Sequence, residues 1–250
     1  MDSNRSDWTA RLRGSELPRR LRTIARATAF VGGPLFLLGV LLHPARHGEG
    51  IQAVGQLYGI THAVQAIALL LQVVCLASVY QLTAARFGRR GLSAFGTALV
   101  GTVLWFGLIV LDGSRNPVTA RYAPDIVHTP ADLDIGGAML VLPALLVFPL
   151  GYALLAALLI RHETIWTGLL LGVGALVYTA GGLAIFAFGP HSPLIQILEV
   201  AGAAPYALGF ILLGHSAPAA PDADDLSGID LTVATPGLVE EALLRRRAEG

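Results

Sequence analysis

"GGAMLVLPALLVFPLGYALLAALLI", residues 136–160, contains two prolines and no charged side chain. A bilayer's hydrocarbon core is roughly 30 Å thick, and about 20 apolar residues cross it as a helix rising ~1.5 Å per residue. In a soluble helix Pro143 and Pro149 would argue for breaks, because proline donates no backbone hydrogen bond. Inside a membrane bundle they read as tolerated kinks, since neighbouring helices satisfy the freed backbone groups. Five more stretches share this character, at about 24–42, 60–81, 92–111, 166–188 and 194–214. Pro34 and Pro205 fall inside two of them. Gly168 and Gly172 give the G-x-x-x-G spacing that lets helices approach closely. The expected fold class is an all-α, polytopic transmembrane bundle of six spans.

Composition agrees. Of 250 residues, 54% are hydrophobic and 14% are charged, against roughly 25% charged in a soluble domain. The formal net charge is zero, so no nucleic-acid partner is expected, because such proteins carry a basic surplus. A single cysteine, Cys75, lies in an apolar run, which leaves no disulfide framework and no cysteine-based metal site. The lipid bilayer is the expected partner, with a homo-oligomer or a membrane partner subunit as further possibilities.

Arginines set the orientation. Arg5, Arg11, Arg13, Arg19, Arg20 and Arg22 precede span one with Arg26 at its start, and Arg86, Arg89, Arg90 and Arg161 lie in the second and fourth loops. The opposite side has only Arg46, Arg115 and Arg121 near the spans. The positive-inside rule then puts both termini in the cytoplasm and the chain in the inner (plasma) membrane. A basic leader of over twenty residues, followed by a long apolar stretch, weighs against a cleaved signal peptide. The domain reading is a basic amphipathic arm over 1–23, the bundle over 24–214, and a Pro/Asp-rich tail over 215–250. A short amphipathic helix is expected at 235–247, opened by Thr235 and Pro236.

With that orientation, His43, His62, Asp112, Asp134, His191 and Glu199 all gather on the extracytoplasmic side. On a helix advancing 100° per residue, His62, Gln65, Gln72 and Tyr80 share one face, and so do Gln196, Glu199 and Tyr206. Polar faces turn towards the bundle interior or a cavity, because facing lipid costs free energy. His43, His62, Gln65, Asp112 and Glu199 are therefore the candidate pocket, with His43 and His62 as candidate metal ligands. Histidine and carboxylate suit divalent metals and haem iron. The third-loop residues Asp125, His128 and Asp132 make a weaker case, and His47, His162 and His215 read as interface histidines.

No H-E-x-x-H, G-x-S-x-G, phosphate-binding glycine loop or C-x-x-C-H occurs. The chain resembles small six-span bacterial integral membrane proteins with a His-Pro after span one and a histidine early in span two, here His43, Pro44 and His62. That resemblance implies the bundle and brings no established activity. Three functions fit: an extracytoplasmic His/carboxylate pocket binding a metal, haem or small ligand; a proton- or solute-coupled transporter acting as an oligomer; or a non-catalytic membrane subunit or assembly factor. No enzyme motif assigns a catalytic residue.

Overall fold

The computed structural model describes residues 16–217, apart from 45, 130, 131, 133, 134 and 163. The tail beyond residue 217 with its expected helix at 235–247, most of the basic arm, and Asp134 lie outside the described residues. Residues 21–217 form one compact unit. Among the described residues the regular structure is all helical: α1 (Leu17–Leu41), α2 (Gly48–Val54), α3 (Gln56–Ala84), α4 (Arg86–Tyr122), a 3-10 turn (Pro124–Ile126), α5 (Ile135–Arg161), α6 (Ile165–Phe188) and α7 (Pro193–His215). All except α2 and the 3-10 turn are long and apolar enough to cross a membrane, in line with the six stretches in the sequence. Gly88, at φ 53° and ψ −140°, breaks the helical path at the start of α4. Only glycine enters that conformation without steric cost.

Helix ends differ from the hydropathy boundaries. α3 begins at Gln56, ahead of the apolar run, and α4 continues to Tyr122, well past Asp112. Asp112 was expected to end span three, but it lies within the helix. Hydropathy falls at Asp112, Ser114, Arg115 and Asn116, but backbone hydrogen bonding persists until Ala123 and Pro124. His62 is likewise further into its helix than its place in the apolar run implied. α1 begins at Leu17, so residues 17–23 of the arm share one helix with the first span.

The outward faces carry apolar side chains such as Phe30, Ile67, Val100, Leu146, Val173 and Leu208, as lipid contact demands. The interior is aromatic. Phe36 meets Tyr178 at a ring distance of 5.0 Å, and Tyr152 meets Tyr206 at 5.0 Å. The polar stripes turn inward. His62, Gln65 and Gln72 are buried on α3, as are Glu199 and Tyr206 on α7, and the Tyr206 hydroxyl donates to Gln72 Oε1 at 2.9 Å. Tyr80 and Gln196 are half-buried, and Gln196 Nε2 donates to the Val40 carbonyl at 3.0 Å. Gly168 and Gly172 both pack on Ala156 of α5, where a Cβ at Gly168 would stand 2.8 Å from the Ala156 carbonyl oxygen. This is the close approach their spacing suggested.

Candidate functional site

One end of the bundle gathers the polar residues. His43 follows α1, Tyr58, His62 and Gln65 lie on the first turns of α3, and Asp112 and Asn116 share a face of α4 four residues apart. Glu199 comes from α7, and Arg46 and His128 come from loops. All five pocket candidates from the sequence, His43, His62, Gln65, Asp112 and Glu199, line one cavity. Glycine makes the convergence possible. Gly113 abuts the His62 side chain, Gly39 abuts Gln65, and a Cβ at Gly181 would stand 2.9 Å from the Glu199 backbone nitrogen.

The histidine hydrogen bonds assign the ring protons. His43 Nδ1 lies 2.8 Å from the Pro44 carbonyl oxygen, His62 Nδ1 2.7 Å from that of Tyr58, and His128 Nδ1 2.7 Å from that of Arg46. A carbonyl oxygen only accepts, so each Nδ1 carries a hydrogen, and the Nε2 of each ring faces the cavity. His43 Nε2 and His62 Nε2 stand 3.2 Å apart, and His62 Nε2 is 2.8 Å from Asp112 Oδ2. Ligand atoms from His43, His62 and Asp112 all fall within 4.8 Å of one another. His128 Nε2 reaches the other carboxylate oxygen, Asp112 Oδ1, at 2.9 Å.

Asp112 is held from further sides. The Tyr58 hydroxyl donates to Oδ2 at 3.0 Å, and the Asn116 amide donates to Oδ1 and to the Tyr58 hydroxyl, the latter at 3.2 Å. Arg46 places Nη1 3.2 Å from His43 Nε2 and forms a buried ion pair with Glu199. His128 occupies left-handed backbone (φ 59°), where its N–H donates to Asp132 Oδ2 at 3.2 Å. Arg115 closes the loop by donating to the Asp132 carbonyl at 2.7 Å. Gln65 is a packing residue as much as a lining one, donating to the Gly39 carbonyl at 3.2 Å.

The two loop histidines titrate in opposite directions. Burial holds the His43 imidazole well below the usual histidine value, and the Arg46 charge adds to this. Burial also pulls His128 down, but the Asp112 carboxylate and its hydrogen bond more than offset that and raise it.

Sequence reasoning left out Arg46, Tyr58 and Asn116 and gave His128 little weight. Tyr58 with His62, and Asp112 with Asn116, are spaced four apart, a helical signal that was available. Arg46 looked like an ordinary loop charge. His191 lies outside this cavity, stacked on His47 at 4.4 Å, and His47 caps α2 by accepting from the Gly50 N–H at 3.1 Å. Asp125 is exposed. No family model, curated protein or solved structure matches the chain.

Proposed function

We propose that this chain is a multi-pass membrane protein, with both termini cytoplasmic, that holds a divalent transition-metal ion between His43, His62 and Asp112 at the extracytoplasmic end of its bundle. The supporting observation is the histidine geometry. Two Nε2 atoms and a carboxylate oxygen converge, while each Nδ1–H is tied to a backbone carbonyl. Metal-ligating histidines are oriented in this way, the second ring nitrogen donating to a carbonyl or carboxylate. Ligands about 2.0–2.1 Å from zinc stand about 3.3 Å apart in a tetrahedron, near the 3.2 Å between the two Nε2 atoms. At that separation no haem plane fits between the rings, so a bare ion suits the site better.

Charge points the same way. Arg46 and Arg115 line the cavity with Asp112, Asp132 and Glu199; Arg46 pairs with Glu199 and Arg115 with Asp132, which leaves the Asp112 carboxylate for a cation. Three protein ligands leave a coordination position for water or a ligand oxygen, as in sites where zinc acts on a bound molecule. Tyr58 and Asn116 fix the carboxylate. His128, on its far oxygen, holds it from the loop.

Metal analysis of protein purified in detergent without chelators tests this, with wild type beside His62→Ala. About one metal per wild-type chain, lost in the variant, is the expected result. Metal-free wild-type protein that also fails to take up added zinc would overturn the proposal.

A further inference from the structure

The cavity does not stop at the polar cluster. It continues along three spans, past Ile109 and Trp105 on α4, Val141 and Leu145 on α5, and Ile185 and Phe186 on α6, with about 130 Å³ open to the centre of a water-sized sphere. From Asp112 to Trp105 the wall descends roughly 10 Å at ~1.5 Å per residue. Gly182 leaves open the space a side chain would fill. A Cβ there would meet Leu145 and Trp105 only at ordinary contact distances of 3.6 and 3.7 Å. Phe186 is 47% exposed, so the apolar wall itself reaches the outer face of the bundle. An apolar slot of this kind is a poor container for water.

At the polar end one donor lacks a partner. Among the described residues Arg46 Nε is buried without a hydrogen-bond acceptor. Arg115 stands at the rim with its side chain 35% exposed. The site therefore asks for an anionic oxygen at the head and a hydrocarbon chain behind it.

We infer that the cavity binds a single-chain lipid carboxylate, with its head group beside Arg46 and the His43–His62–Asp112 cluster and its chain in the slot between α4, α5 and α6. The inference deepens the metal reading by naming what fills the open coordination position, but the slot itself is formed without the metal.

Trp105 provides the probe. In a chain carrying Trp8→Phe and Trp166→Phe, Trp105 is the remaining tryptophan. It is buried, whereas Trp166 is 74% exposed. In saturated phosphatidylcholine nanodiscs, titrated 9,10-dibromostearate should quench Trp105 saturably and at least twofold. A chain keeping Trp166 alone should show only gradual, non-saturating quenching from the bilayer. Gly182→Leu should abolish the saturable part and Gly182→Ala should keep it, with both variants checked for unchanged thermal unfolding. Should Gly182→Leu not fold, Leu145→Trp in the same background with Trp105→Phe places the probe on the facing wall of the slot, and saturable quenching of that indole is then the expected result.

The inference is overturned if Trp105 follows the course of Trp166. It is also overturned if dibromo-phosphatidylcholine quenches Trp105 as well as the free acid does, because a phospholipid chain would then occupy the slot. Metal content measured on the same samples separates the two readings: metal without saturable quenching removes only the lipid, and saturable quenching without metal removes only the ion.

Discussion

Replacing Tyr58 by phenylalanine isolates one contact at the proposed centre. The ring is fully buried and stays in place, and only the hydroxyl is lost, with its 3.0 Å bond to Asp112 Oδ2 and its 3.2 Å bond from Asn116. Oδ2 is the oxygen that faces His62, so its direction decides whether it can share a metal with the histidines. A hydrogen bond to a charged group contributes about 1.5–3 kcal/mol. If that energy serves to hold the carboxylate for the metal, affinity should fall by about 10–100-fold, the usual effect of removing an outer-shell partner. At 1.4 kcal/mol per tenfold the two scales agree. Competition between the purified protein and a chromophoric chelator for zinc measures the change directly. Thermal unfolding of the metal-free protein should shift much less, because the core keeps its ring. Unchanged zinc affinity would refute the reasoning, and so would a loss of affinity that merely tracks a loss of folded protein.

Three other outcomes are expected. Glu199→Gln should destabilise the fold by about 3–5 kcal/mol, because it leaves the Arg46 guanidinium, 10% exposed, buried without its charge partner. The double variant Arg46→Met with Glu199→Leu should recover much of that in thermal unfolding. In metal-free protein the raised His128 value stabilises the fold below the ordinary histidine pKa, and this is lost as pH rises through the raised value. His128→Gln should then cost more stability at about pH 5.5 than at about pH 8.5, either side of the unperturbed value near 6.5. Gly88→Ala should cost about 1–3 kcal/mol, because its φ of 53° with ψ of −140° strains any residue with a Cβ, and thermal unfolding in detergent reads it.

The six long helices were legible because lipid-spanning segments must be apolar along their whole length. Their ends were not, because a helix ends where its hydrogen bonds do. The run of polar residues after Asp112 therefore looked like a loop, although it is the last turns of α4, and Asn116 was missed with it. The convergence of His43 with His62 could be anticipated from a hairpin between α1 and α3. The convergence with Asp112 came only from shared sidedness. Glu199 was recognisable as a carboxylate in need of a partner, but the partner, Arg46, is 153 residues away in sequence and had been counted only as a loop charge. The contacts of Gly113 with His62, Gly39 with Gln65 and Gly181 with Glu199 depend on which helices are neighbours, and no spacing along the chain encodes that. His128 could not be found by helical periodicity because it sits in a left-handed turn between α4 and α5.

X-ray absorption at the zinc edge, on zinc-loaded wild-type protein, tests the central claim most directly. Two imidazole rings and at least one oxygen at about 2.0–2.2 Å are the predicted first shell, falling to one imidazole in His43→Ala. A spectrum showing only water-like oxygen scattering, unchanged by that substitution, would contradict a metal held between His43, His62 and Asp112.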